Sequence, residues 1–591
     1  MTSKQLITRF AITLSSVIVA LPAHADPPGR VARISFISGP ASFRPGSVDE
    51  WTTATVNYPM TVGDHIWTDA GGRVELEMGS TVVRLSRNTE MSVLNLDDHI
   101  AQLRVTQGSV VARVRTLAQG DAVEIDTPNG ATVVSQPGFY RVDVNEGGDT
   151  TSVTVRSGGA ELATGNGSFP LAPGQAASLT GLDSPVYSAR AAAATDDFED
   201  WSLTRDRRAE TAVSIRYAPG MIGYSDLDAY GQWQTVAEYG PVWVPRVAVA
   251  WAPYRFGHWV WVEPWGWTWV DDAPWGFAPF HYGRWAHIGP GWAWVPGPIV
   301  VRPVYAPALV AFVGGTNWSV SMSLGAQPVG WFPLGPREPF VPAYHVTGVY
   351  LSAVNYGRVS VTTATYVNRE VPGAITAVPR DVFVGARPVG AVAVVVRPEA
   401  VRTSVMMGTA AIVPERVSIV GEARGRVYVP PAAVVDRRVV ARAVPPPPPV
   451  AFAARREALT AHPGMPLDEA AMASLRAREA ARPAPLVRSA PVVASRPGTA
   501  VARPAPPPQD LAARHAQEQA EIETRHAQEL ANIQAQHQRA EAAAASDKQR
   551  EQMRQQHAQE TKQLQARQQQ EHEQMQKRQE QERKAPPKGR Q

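Results

Sequence analysis

The chain has 591 residues, too many for one hydrophobic core, and its 52 Pro and 46 Gly point to turn-rich β structure together with unstructured stretches. It has no cysteine, which excludes disulfides, thiolate zinc sites and cysteine nucleophiles. Its net charge of +3 falls close to zero once a leader carrying Lys4 and Arg9 is removed, so charge makes no case for a nucleic-acid partner.

Residues 1–25 have the layout of a signal peptide. Lys4 and Arg9 make a basic start, and Phe10–Leu21 is apolar. Ala23-His24-Ala25 fits the small-x-small cleavage pattern, with Asp26 opening the mature chain. The apolar run is only about a dozen residues long, short of the roughly 20 that a membrane span needs. No later stretch is long and apolar enough, so no span is expected in the mature chain.

Residues 30–182 are expected to be one all-β domain. Segments such as Arg73–Met78, Thr81–Leu85, Gln102–Val105, Ser109–Val114 and Thr151–Val155 alternate with period two, which buries one face of a strand and wets the other. Gly71-Gly72, Pro128-Asn129-Gly130 and Gly147-Gly148 supply the turns between them. The density of short strands predicts a sandwich or a solenoid-like stack.

The order Gly63-Asp64, Thr68, Val74–Ser80, Gln107-Gly-Ser-Val110, Asp126-Thr-Pro128, Gly138–Val142 and Pro173-Gly-Gln175 resembles a FecR-type domain. The resemblance covers about a quarter of the chain and implies an extracytoplasmic β-rich interaction domain. Family members that relay a signal from an outer-membrane receptor also carry a cytoplasmic anti-sigma segment and a membrane span. Neither is seen here, so an anti-sigma activity is not implied.

Residues 183–232 read as a linker with a short charged helix at Asp196–Glu210. Residues 233–298 follow as a tryptophan-rich β module. Twelve of the chain's 17 tryptophans fall between Trp233 and Trp294, and W-x-W-V occurs at Trp259/Trp261, Trp267/Trp269 and Trp292/Trp294. Residues two apart share one face of a strand, so each pair presents two indoles side by side. Pro264-Trp-Gly, Pro274-Trp-Gly and Gly289-Pro-Gly mark turns. The segments Tyr230–Trp233, Pro241–Pro245 and Gly266–Trp285 resemble a Trp-rich domain of unknown function that follows FecR-like domains in exported proteobacterial proteins.

Two uses of the indoles remain open. They can form the core of a small unit without disulfides, since each buries a large apolar area. Alternatively, some stay exposed and stack on sugar rings, with nearby carboxylates accepting hydrogen bonds. The residues expected at such a ligand-contact face are Trp265, Trp267, Trp269, Asp271, Asp272, Trp275 and Trp285. The opposite-facing Val260 and Thr268 should show which face is wet.

Residues 299–440 continue as an irregular β region, with order weakening past about Val396. Residues 441–510 are rich in Pro, Ala and Arg and read as a disordered linker, with Pro445–Pro449 in polyproline II and a helical turn at Leu467–Glu479 interrupting it. Residues 511–583 contain no Pro or Gly and read as a long helix or a helical hairpin, followed by a disordered tail at 584–591. Apolar residues recur every 11 positions, at Leu511, Ile522 and Ile533 and again at Met553, Leu564 and Met575. The 20-residue gap between the two sets turns them about 200° apart on one unbroken helix. His515, His526 and His537 share a stripe but would stand about 16 Å apart along it, far beyond what one zinc ion spans.

No phosphate loop, nucleophile elbow, H-E-x-x-H or calcium loop occurs. The expectation is therefore a mainly β, non-enzymatic protein without cofactor or metal, exported to the periplasm or outer membrane of a Gram-negative bacterium. It would act as a scaffold or interaction protein for an envelope partner, with self-association through the C-terminal helix. A glycan-binding protein and a periplasmic signalling adaptor are the alternatives.

Overall fold

Between Ala32 and Ala191 the period-two segments form 17 connected strands. The computed structural model describes residues 26–314, 328–357, 365–402, 404–422, 425–479, 487–490, 526 and 547–584. The leader 1–25, residues 491–525 and 527–546, and the tail past Lys584 lie outside them.

One strand organises the N-terminal domain. Ile100–Val114 pairs in its first half with Thr89–Leu96 and, in parallel, with Ala122–Asp126. Its second half pairs with Thr81–Leu85 and Gly138–Val144. Sequence patterning reads this stretch as two strands. The structure joins them through Gly108 at φ +94°, where a Cβ would sit 2.3 Å from Thr89 Oγ1, so only glycine permits the bend. The apolar faces, including Val74, Leu76, Val83, Leu103, Val110 and Val142, are fully buried.

The segment 183–232 packs on this domain rather than hanging between domains. Val186–Ala191 extends a sheet antiparallel to Gln175–Thr180. The helix Asp197–Glu210 is capped by Asp196, whose carboxylate accepts from Phe198 N and Glu199 N. Its Arg205 forks onto Glu75 through two 2.7 Å hydrogen bonds, and Arg84 Nε adds a third at 2.7 Å. Burial raises the Glu75 carboxyl, but the two guanidiniums outweigh that and hold it down at about 2. The ordinary value is 4.5, so this contribution is complete above pH 4.5 and is lost as pH falls towards 2. It amounts to roughly 3 kcal/mol. Glu75→Gln is expected to lower the thermal midpoint at pH 7 and to flatten its decline between pH 4.5 and 2. Calorimetry across that range checks both.

Residues 231–295 form three antiparallel hairpins. Two of them, Gly231–Val236/Gly240–Pro245 and Arg284–Ile288/Gly291–Val295, build one four-stranded sheet, joined where Trp243 pairs with Trp294. The third, Gly257–Val262/Gly266–Asp271, stands as a two-stranded ribbon with Trp259 opposite Trp269 and Trp261 opposite Trp267. Downstream, Val310–Gly314, Val329–Pro333, Ile375–Val378, Val394–Val396 and Val405–Met407 form a five-stranded sheet.

Past Val396 the described residues form short elements such as Arg416–Val420 and Ala432–Val435. Within residues 441–479, read as a disordered linker interrupted by a helical turn at Leu467–Glu479, a helix stands at Glu469–Arg478; a second helix, Phe452–Ala461, was not expected, and the segment packs against both upstream domains. Pro449 sits on Gly63, Phe452 N donates to Ser47 O at 2.9 Å, and Arg455 pairs with Glu263.

The chain divides into two units at Arg496. In the second, Asp547–Lys584 is one helix, with Leu564 and Met575 of the predicted stripe buried. Gln568 Nε2 donates to His526 O at 3.2 Å. On a single straight helix those residues would be about 63 Å apart, a distance this contact does not allow; the rest of the predicted first segment lies outside the described residues.

Candidate functional site

Six of the seven residues expected to face a ligand are buried. Trp265 and Trp267 are 3% exposed, Trp269 and Trp285 are 0%, Trp275 is 5% and Asp271 is 3%; only Asp272 is open to solvent. The indoles form a core. Trp259 and Trp269 meet edge-to-face at 5.5 Å, as do Trp261 and Trp267 at 5.5 Å. Trp331 and Phe383 of the downstream region then close on Trp259, each at 5.3 Å. The opposite face is dry as well, with Val260 at 1% and Thr268 at 0% exposure. A ribbon covered on both sides offers no platform for a sugar ring.

The carboxylates and histidines nearby serve this packing. Asp271 accepts from Trp269 Nε1 at 3.1 Å and from Ala273 N at 3.0 Å, and burial pushes its pKa well above the usual carboxylate range. Glu263 accepts from Trp261 Nε1 at 2.9 Å. His281 sits 2.8 Å from Ala306 O, and burial pushes it down to about 3, so its ring is neutral. Among the described residues, no group of three or more His, Asp or Glu is placed to hold a metal ion.

A buried polar cluster fixes the tryptophan-rich domain to the N-terminal one. Arg33, fully buried, donates to Asn57 Oδ1 at 3.0 Å, pairs with Glu77 at 3.2 Å and Asp226 at 2.7 Å, and donates to Pro274 O at 2.8 Å. Asn57 Nδ2 reaches Asp271 O at 2.9 Å and Ala273 O at 2.7 Å. Burial pulls the Arg33 pKa down, but Asp226 and Glu77 outweigh it and keep the guanidinium charged.

A cavity of about 370 Å³ opens between these domains and the 441–479 segment, walled by Tyr58, Asp64, Trp265, Pro447, Pro449 and Met472. Burial lifts Asp64 to about 7, although its oxygens accept from Gly46 N and Thr61 N, each at 2.8 Å. The carboxyl is thereby committed to two turns of its own domain.

The most developed recognition geometry lies elsewhere, and sequence reading missed it. Gln102, Arg104 and Glu124 project from the parallel pair Ile100–Val114/Ala122–Asp126 in a buried polar row. They hydrogen-bond to the main chain of a strap, residues 432–443, in which a helical turn at Ala432–Val435 leads into the short strand Val439–Ala441 and the side chains of Val434, Val435, Val439 and Val440 are buried. Arg104 Nη2 donates to Val435 O and, at 2.6 Å, to Arg437 O. Gln102 Nε2 donates to Ala443 O at 2.9 Å. Glu124 accepts from Arg442 N at 2.7 Å and Ala443 N at 3.1 Å. Val440 N adds a bond to Thr127 O at 2.9 Å. Val439–Ala441 then pairs in parallel with Val487–Ser489. The sequence signal for this row was faint: polar residues at alternate positions of a strand that otherwise reads as half-exposed.

Comparison with known proteins gives two family matches and limited structural likeness. Residues 64–161 match the FecR protein family, and residues 224–338 match a family of unknown function, DUF6600. No curated protein matches the chain. Two crystal structures of a proposed anti-sigma factor from Parabacteroides distasonis ATCC 8503 are similar over a short stretch. They are 17% and 16% identical, with TM-scores of 0.20 and 0.21. The matches cover 22% and 23% of this chain and 59% and 64% of those chains. The strand bent at Gly108 and the polar row lie inside the first family match, and the stacked indoles inside the second. The chain thus carries a FecR domain followed by a DUF6600 domain, the second built on the tryptophan core.

Proposed function

We propose that this protein is an exported, non-enzymatic adaptor of the Gram-negative cell envelope, whose FecR domain binds a protein partner while the DUF6600 domain keeps that surface rigid. One observation carries the reading. The row Gln102, Arg104 and Glu124 is arranged around peptide N–H and C=O groups, and backbone atoms are what an extended protein segment presents. The leader-like residues 1–25 and the FecR match support an extracytoplasmic site of action. Among the described residues no helix is long and apolar enough to cross a membrane. The glycan reading loses support because its indoles are packed inside the domain.

The test is location combined with capture. Expressed with its leader in a Gram-negative host, the chain is expected in the periplasmic or outer-membrane fraction, with Asp26 as its first residue by mass spectrometry. A photocrosslinking residue at the exposed Arg438 is expected to trap a protein. An uncut cytoplasmic chain, or retention on purified sacculi without a protein adduct, would overturn the proposal.

A further inference from the structure

The strap fills the polar row, but it does not match it fully. Gln102 Oε1 and Arg104 Nε are buried and find no hydrogen-bond partner. A buried polar atom left unpaired costs about 1–3 kcal/mol, so an occupant supplying one more donor and one more acceptor would bind the row better than the strap does. Gln102 and Glu124 bond main-chain atoms of the extended stretch at Arg442 and Ala443, whereas Arg104 bonds the carbonyls of Val435 and Arg437 where the helical turn Ala432–Val435 ends, and the strap also buries Val434, Val435, Val439 and Val440.

The polar side-chain contacts share one chemistry. Arg437 lies on Gly148 and donates to Thr106 O at 2.9 Å and to Glu146 O. Arg442 pairs with Glu161 at 2.7 Å. Arg488, on the strand beside the strap, pairs with Asp183 at 3.0 Å and donates to Pro128 O at 3.1 Å. The rim of the groove is therefore acidic and rich in carbonyl oxygens, and it favours guanidinium groups carried on an extended chain.

From this geometry, and resting on the adaptor reading above, we infer that the row is a docking groove for an extended, arginine-bearing segment of another envelope protein. Residues 432–443 occupy the groove in cis until that segment displaces them. The cis strap then acts as a built-in competitor. It keeps buried charges covered when no partner is present, and it raises the threshold for binding through its high effective concentration.

The experiment uses the whole mature chain, residues 26–591, and a fluorescein-labelled synthetic peptide of residues 432–443 read by anisotropy. The strap is loosened by Arg437→Ala with Val440→Pro, which removes the rim contacts of Arg437 and the hydrogen bond to Thr127 O. The loosened chain is expected to bind the peptide at least 10-fold more tightly than the parent. Adding Glu124→Ala should cancel that gain. Trypsin should now cut after Arg438 and Arg442. Absence of peptide binding in both chains overturns the inference. So does a strap that stays protected from trypsin in the loosened chain, which would make it a permanent part of the fold. A dimer formed by the loosened chain but not by the parent, and dissolved by the peptide, would make a second copy the occupant and overturn the assignment to another protein. Cell fractionation separates the two proposals. Peptide binding by a chain that stays in the cytoplasm sinks only the adaptor reading, and envelope location without peptide binding sinks only this one.

Discussion

Trp259→Ala is expected to destabilise the first unit by about 3–5 kcal/mol, among the largest effects any single truncation in this chain should produce. Trp259 is fully buried and touches Trp269, Phe312, Trp331 and Phe383, with ring centres between 5.1 and 5.5 Å. It therefore joins the Gly257–Asp271 ribbon to the five-stranded sheet, and no neighbour is free to collapse into the space it would leave. Urea unfolding followed by intrinsic fluorescence gives the midpoint. Asp272→Ala, at the one exposed position of the predicted ligand face, should move it by less than about 0.5 kcal/mol. An unchanged midpoint for Trp259→Ala would mean that the indoles are not core.

Arg33→Ala should rank beside it, for an electrostatic reason. Removing the guanidinium leaves Glu77 and Asp226 facing each other at a domain junction, with side-chain exposures of only 12% and 19%. Breaking a buried pair from one side costs about 3–5 kcal/mol, because the surviving charge has lost its partner but not its desolvation. The expected result is also qualitative. Arg33 and Asn57 reach across to Pro274 O, Asp271 O and Ala273 O, so their loss should separate the melting of the FecR and DUF6600 domains. Calorimetry of the parent should show the two domains melting together, and the variant should show two steps. Glu77→Gln added to Arg33→Ala should recover part of the loss, since one unpaired charge is then gone. A single unshifted transition in Arg33→Ala would remove the junction from the account.

Much of this architecture was legible because it rests on local periodicity. The strands of the FecR domain, the turns around Gly71 and Gly130, and the W-x-W hairpins all follow from alternation and turn chemistry within about ten residues. What covers a hairpin is not local. Both faces of the Trp259/Trp269 ribbon are dry because Phe312, Trp331 and Phe383, 43 to 124 residues further on, close one side of it. A pair of indoles pointing one way looks the same in sequence whether its partner is a sugar or a phenylalanine. The strap was illegible for a related reason. Its bonds to the polar row leave from its main chain, and its buried Val434, Val435, Val439 and Val440 come as two adjacent pairs rather than with a strand or helix period, so its composition resembles that of a solvated spacer.

The separation between groove and strap has a consequence for how the molecule is made. Gln102 and Ala443 are 341 positions apart, so a chain that emerges N-terminus first presents the FecR domain before the segment that covers the polar row. For that time the nascent domain stands with Arg104 and Glu124 wet, open to any extended chain that reaches them first. Its last fastening is a race between a distant stretch of its own polypeptide and its neighbours.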